Sequence, residues 1–338
     1  MREDEKLVLE FCIGNQLPSQ INYNIFSEIY NRASLNKIEQ ILIEELSLKE
    51  NCYKNKTILS KLNEEKDKRA IYEKILYEVL IFFENENIRA IPIKSIYPFP
   101  YVDADLDIVI IDDDFRSLKD RLIKIGYKDY KSPKREPFKH FFIKEKNRYP
   151  LIHIHRQLSW NGIIILDKFQ LWEKSVTYDM RYGRIKKPSN EFDILIAVAH
   201  CMFENFFITG NDILLFSMIK DINWTLIMDQ AKKFNWSTGL YTYLKIINTY
   251  YQYIINNKII ENKVMNSLSK GVLFPDREIG LKHLVLPSMI EVEYIFLPII
   301  EKLFKDGLRF KTSSFTRELI FLFGLNYLLF MRNRKKIL

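Results

Sequence analysis

The amino-acid sequence predicts an α+β protein: a small mixed sheet flanked by helices, with helical regions on either side of it in the chain. Three observations predict it. Apolar residues recur at helical spacing before residue 88 and again after residue 188. Between them lies a block of short β-rich runs. Only 10 of the 338 residues are glycine and 11 proline, so tight turns are few and a many-stranded barrel is disfavoured. The predicted organisation is an N-terminal helical region over 1–87, an α/β core over 88–187 and a C-terminal helical domain over 188–338.

In the first region, Ile38, Ile41, Leu42 and Leu46 mark one helix. Ile71, Ile75, Leu76, Val79, Leu80 and Phe83 mark a second, ended by Asn85-Glu86-Asn87. The core opens with a strand over Ile88–Ile93, followed by the stiff, helix-hostile connector Tyr97-Pro98-Phe99-Pro100. Leu106–Ile111 is almost continuously apolar, as a central strand covered on both faces must be. Phe115–Gly126 is an amphipathic helix stopped by glycine, which tolerates the left-handed turn of a helix end. Asp112-Asp113-Asp114 ahead of it are explained by capping and by the helix dipole, and carry no chemistry. Lys139–Lys144 and Leu151–Gln157 are strands joined as a hairpin by Glu145–Pro150. Beyond Pro188, Phe192–Phe207 is apolar on nearly every side and reads as a buried helix. Further helices are expected over 213–233, 237–256, 286–305 and 315–334.

Composition bounds the function. Hydrophobic residues at 47% and aromatics at 14% supply a large interior. A net charge of +8 favours anionic partners, although the lysines are scattered through Lys/Asn/Ile-rich text, and compositional bias is the plainer reading. No basic run exceeds Arg332, Arg334, Lys335 and Lys336. Cys12, Cys52 and Cys201 are isolated, which argues against a disulfide framework or a cysteine zinc site. The charged start lacks the apolar run of a signal peptide. Leu319–Met331 is too short to cross a bilayer and is interrupted by Asn326, so no transmembrane segment and a cytoplasmic location are expected. No Walker loop, dinucleotide glycine fingerprint, HExxH or GxSxG occurs, which removes the commonest hydrolase and dehydrogenase readings.

The chemistry concentrates in Tyr101–Ile110. Side chains alternate along a strand, so Asp103, Asp105 and Asp107 are expected on one face where the strand is regular. Three carboxylates repel one another unless a cation lies between them, and Mg²⁺ takes such hard oxygen ligands. The plainer alternative is an acidic strand entry that solubilises the sheet edge. Against it, aspartates at the mouth of an apolar strand are costly to hold without a partner. His153 and His155 also share a face, a spacing that can ligate zinc or another transition metal, or that simply places one histidine at the active face. His140 either joins them or faces solvent. His200 and Glu204, four apart on a helix, form a local pair or support the cleft. Lys131, Lys134, Arg135 and Lys139 lie in a Pro-bearing loop that is either solvated or reaches toward phosphates or a nucleic acid. Tyr250, Tyr251 and Tyr253 have the spacing of core packing more than of a base-stacking surface.

Ile93-Lys94-Ser95, a nine-residue spacer and Asp105-Leu106-Asp107-Ile108 resemble the nucleotidyltransferase superfamily. Its pattern is a hydrophobic residue, Gly, then Gly or Ser, a spacer, and Asp-hydrophobic-Asp/Glu-hydrophobic. Within it the chain is similar to an uncharacterised nucleotidyltransferase-like group with a Lys-Gly motif ahead of the acidic strand. Gly126-Tyr127, His153-Ile154-His155, and Pro188–Asp193 leading into the helix of His200, with Asp221 on the next helix, agree with that group. The resemblance implies that Asp105 and Asp107 bind Mg²⁺, with Mn²⁺ as the other candidate ion. The metal would bridge the phosphates of a nucleoside triphosphate such as ATP while an acceptor hydroxyl attacks the α-phosphate. Ser95 and Lys94 would contact the phosphates. The acceptor stays open between a small molecule, a sugar, a protein and RNA. Two departures matter. The glycine that lets the backbone approach phosphate is replaced by a residue with a side chain. The third carboxylate of the superfamily falls at His153, which would act as general base beside the two aspartates, or would mark a chain that has lost transfer and binds a nucleotide or a partner.

Overall fold

The computed structural model describes residues 23–48, 55–112, 115–130, 138–144, 150–160, 163–255, 258–270, 272, 288–290, 294–295, 298–299 and 301–302. Helices α1 (Tyr23–Leu35), α2 (Glu39–Ser47) and α3 (Lys56–Asn85) come first. The 30-residue α3 is far longer than the segment its apolar stripe announces. Its first half is charged, and helical pairs such as Arg69–Glu73 at 2.8 Å run along it. Asn55 starts it, accepting from the backbone N–H groups of Thr57 and Ile58.

The core follows as β1 (Ala90–Ile93), β2 (Asp105–Ile110), α4 (Phe115–Lys124), β3 (Lys128–Tyr130), β4 (Lys139–Ile143) and β5 (Leu151–His155). The sheet order is β1-β2-β5-β4-β3. Strand β2 runs parallel to β5 and antiparallel to β1, and β4 is antiparallel to both β5 and β3, so the sheet is small and mixed as expected. The short exposed β3 escapes a reading based on apolar runs. Gly126 ends α4 at φ +94°, with its N–H bonded to the carbonyl of Ile123 and that of Tyr127 bonded to the carbonyl of Leu122.

One face of the sheet is apolar. Leu106, Ile108, Ile110, Phe142, Ile152 and Ile154 pack against Tyr72, Ile75, Leu76, Val79 and Phe83 of α3 and Leu118 and Leu122 of α4. By alternation, Asp105, Asp107, His153, His155 and Lys139 fall on the opposite face.

Residues 158–187, for which the sequence suggests no elements, fold as β6 (Leu158–Trp160), β7 (Ile163–Leu166), α5 (Lys168–Glu173), β8 (Val176–Met180) and β9 (Gly183–Lys187). β6 pairs with β7 and β8 with β9. These elements are three to six residues long, below the length at which periodicity can register. Then α6 (Asn190–His200) passes into a π-helical turn, Cys201–Asn205, and β10 (Phe207–Ile208). The helix expected over 192–207 therefore ends early: Phe206 is left-handed at φ 61°.

The single helix expected over 213–233 is two, α7 (Gly210–Met218) and α8 (Trp224–Lys233). Ile219 is extended and Asp221 left-handed at φ 56°, so Asp221 lies in the turn between helices and not on one. α9 (Ser237–Ile255) matches its expectation, and α10 (Asn262–Ser269) was not anticipated. The segment expected as a helix over 286–305 includes a strand, β11 (Ser288–Met289), paired with β10; its described residues from 294 on are helical. The helix expected over 315–334, the basic terminus, Cys12, Cys52, Asp113, Asp114 and residues 131–137 lie outside the described residues.

A second, larger apolar cluster joins α1 and α2 to β1, β6, β7 and α6 through α10. It carries Tyr250 and Tyr251 in its interior, so these two rings serve packing. The polar face of the sheet is thus enclosed by the helices that follow it in the chain.

Candidate active site

The parallel pairing of β2 with β5 sets the geometry, because it places Asp107 opposite His153 and both on the polar face. Asp105 stands at the start of β2 and keeps some exposure; Asp107, one pleat deeper, is 3% exposed. His153 Nδ1 lies 3.1 Å from Asp105 Oδ2 and 3.2 Å from Asp107 Oδ1. Asp105, Asp107 and His153 each offer a ligand atom, and these atoms all lie within 4.8 Å of one another.

Asp107 is the hub. Lys94 Nζ reaches its Oδ2 at 2.7 Å. His155 Nε2 donates to Oδ1 at 2.6 Å, and Lys139 Nζ lies 3.6 Å from the same oxygen. Lys139 follows from the hairpin: β4 turns back along β5 so that Lys139 sits opposite His155. Its ammonium is also 3.6 Å from Glu204 Oε1, supplied by the π-helical turn. Such turns insert one residue into a helix and redirect the side chains after it. His200 closes the ring, its Nε2 3.1 Å from Glu204 Oε2 and 3.3 Å from Lys94 Nζ.

Either Lys94 or Ser95 stands where the pattern has glycine, and the backbone of Lys94 is left-handed at φ 55°. That conformation costs a residue with a Cβ on the order of 1 kcal/mol. The backbone therefore keeps the shape glycine would give, and the side chain is directed onto Asp107. Ser95 is buried, and its hydroxyl donates to the carbonyl of Ile93 at 3.0 Å.

Charge follows from these contacts. Burial pushes the Asp107 carboxyl upward, but Lys94 and Lys139, with the hydrogen bonds from His153 and His155, hold it well below the usual carboxylate range. Asp105 goes the other way: burial and the neighbouring Asp107 charge raise it. Lys94 is raised despite its burial because Asp107, Glu204 and Asp105 surround it. His155 is pushed down to about 4, by burial first and by Lys139 and Lys94 next, against the pull of Asp107. It is therefore neutral at neutral pH. His200 is lowered by burial and Lys94. Glu204 is held well below its ordinary value, against burial, by His200, Lys94 and Lys139.

Not every expected residue reaches the cluster. Asp103 precedes the first paired residue of β2, so strand alternation does not govern it. It is bound instead by Lys37 at 3.1 Å and by the Tyr101 hydroxyl at 2.6 Å. His140 lies on the apolar face, stacked on Phe115 at 3.8 Å, which removes it from the site. His153 and His155 both turn to Asp107 and do not form a separate pair site. Lys131, Lys134 and Arg135 lie outside the described residues. Lys139 as a partner of Asp107 was missed, although a hairpin centred near residue 147 already implies that it faces His155.

The donor set fits a divalent cation. Asp105 and Asp107 offer hard oxygens, and the upward push on Asp105 by Asp107 is the repulsion a cation relieves. Lys94 lies on Oδ2 of Asp107, while Oδ1 faces His153 as well as His155.

A family model described as an uncharacterised nucleotidyltransferase matches residues 26–252. The chain belongs to that family. None of the curated proteins matches it. The match runs from α1 to α9 and takes in the five-stranded sheet and every member of the polar cluster. For this nucleotidyltransferase-family chain, a general role in nucleotidyl transfer and a nucleotide substrate follow. Among the described residues, no helix is long and apolar enough to cross a membrane.

Proposed function

We propose that the chain transfers a nucleoside monophosphate from a nucleoside triphosphate to an acceptor hydroxyl in a reaction that depends on a divalent cation, Mg²⁺ or Mn²⁺. The observation that carries this reading is the convergence of Asp105, Asp107 and His153 on one sheet face in a chain of nucleotidyltransferase ancestry. When bound, the cation supplies charge neutralisation along the phosphates and at the attacked α-phosphate.

The chain's own groups do the rest. Asp105 and Asp107 hold the ion. Lys94 lies on the bend that leads out of β1, and its ammonium, now on Asp107, is a positive charge an incoming phosphate could draw on. The left-handed backbone at Lys94 would let N–H groups of this bend meet the triphosphate tail. His155 donates to Asp107 and fixes its orientation. Lys139, held by Glu204, keeps Asp107 ionised. His153 is placed to serve either as base or as ligand.

A second reading has one observation in its favour. Lys94 and Lys139 already compensate Asp107, as in a site that binds a nucleotide or a partner without turnover. Calorimetric titration with each nucleoside triphosphate, with and without Mg²⁺ or Mn²⁺, separates the readings when run beside a turnover assay. Metal-dependent binding with nucleotide consumption supports transfer, and binding alone supports the second reading. Unchanged binding and turnover after Asp105→Asn with Asp107→Asn would sink the metal-dependent mechanism.

A further inference from the structure

Histidine nitrogen changes what the cluster prefers to bind. His153 is 7% exposed, and its Nδ1 faces two carboxylate oxygens at 3.1 and 3.2 Å. Its Nε2 is buried and has no hydrogen-bond partner among the described residues. Nδ1 is thus aimed between one oxygen of each aspartate, so a cation among the three groups would meet an imidazole lone pair and two carboxylates together.

The donors around that position are one imidazole nitrogen and two carboxylates. Oxygen-only shells suit Mg²⁺, which gains little from an imidazole, whereas first-row transition ions accept nitrogen and oxygen together. His155 donates to Asp107 Oδ1 at 2.6 Å and Lys94 lies 2.7 Å from Oδ2, so the carboxylate is held in one orientation with Oδ1 toward His153.

We infer that Asp105, Asp107 and His153 form a mixed nitrogen–oxygen site that takes Mn²⁺ in preference to Mg²⁺, with His153 Nδ1 as the third ligand. The inference rests on the aspartates binding a divalent ion, as proposed above. Bound this way, His153 keeps its proton on Nε2 and is a ligand, not the base.

The test is direct binding. Tag-free full-length protein, stripped with chelator, is titrated with Mn²⁺ and with Mg²⁺, and the Mn²⁺ form is examined by pulsed electron paramagnetic resonance for nitrogen hyperfine coupling. The expected result is Mn²⁺ binding at least about tenfold tighter than Mg²⁺, with coupling to one histidine nitrogen. His153→Asp should abolish the coupling and bring the two affinities to within about threefold of each other. His153→Gln, closer in shape, should abolish the coupling too, and circular dichroism checks that both variants fold. Asp105→Asn should weaken both ions. Mn²⁺ binding without nitrogen coupling, or coupling that survives in both His153 variants, overturns the inference and leaves the aspartate site standing. Failure of either ion to bind, with or without nucleoside triphosphate, overturns this inference and the metal-dependent function together.

Discussion

At the residue scale, the site is a balance between two buried lysines and three carboxylates, with His155 and His200, both pushed toward the neutral form by burial, between them. Lys94 shows how opposed effects are weighed. Its left-handed backbone costs on the order of 1 kcal/mol. Removing one partner of a buried ion pair costs about 3–5 kcal/mol. Lys94→Gly relieves the first and suffers the second, so a net loss of about 2–4 kcal/mol is expected in denaturant unfolding of the metal-free protein. Added divalent ion should recover more stability in this variant than in the parent, because it replaces the missing charge on Asp107. His155 carries a pH signature. Its folded value is about 4 and its ordinary value 6.5, so between these the unfolded chain binds more protons. Its contribution is complete above the ordinary value and is lost as pH falls through that window. Glu39, raised to about 7 by burial, and Asp193, raised to about 6 by burial, titrate with the opposite sign. The clean measurement is therefore a difference: His155→Gln should flatten the fall in stability between pH 6.5 and 4 relative to the parent.

At the element scale, what the sequence revealed depended on length and on regular backbone. The central strand, the glycine-stopped helix and the hairpin of β4 with β5 were legible because each spans several residues with one consistent period. So was the pairing of Asp105 with Asp107, a direct consequence of alternation. Asp103 was misplaced because alternation was extended beyond the first paired residue. His200 and Glu204 do both of the things their spacing allows, pairing with each other and supporting the cleft, but nothing local announces that α6 passes into the π-helical turn that supplies Glu204. The kink between α7 and α8 hides in Ile219-Lys220-Asp221, where no glycine or proline marks the left-handed residue. Gly126 stops α4 as glycine at a helix end does, and its φ of +94° gives a test: Gly126→Ala should cost about 1 kcal/mol, seen as a lower thermal midpoint with the site's ion affinity unchanged.

At the scale of the whole molecule, the helices before the sheet and those after it share one apolar interior. Leu42 and Leu46 of α2 belong to the same cluster as Phe192, Leu215, Tyr243 and Ile247. No short window of sequence could show this, because the contacts join residues far apart in the chain. The consequence is cooperativity. Leu42→Ala should cost about 2–5 kcal/mol and lower the denaturation midpoint seen by far-ultraviolet circular dichroism and by tryptophan fluorescence alike, since the tryptophans at 160 and 236 sit in that interior. Separate midpoints for the two probes would contradict a shared core.

The most direct measurement is a crystal structure of the chain with a non-hydrolysable nucleoside triphosphate and Mn²⁺, with anomalous data collected to locate the ion. The expected result is an anomalous peak held by Asp105 and Asp107 beside His153, with the nucleotide phosphates also in contact with the ion and Lys94 turned toward them. A nucleotide bound elsewhere, or a cluster in which Lys94 and Lys139 still hold Asp107 and no ion enters, would contradict it.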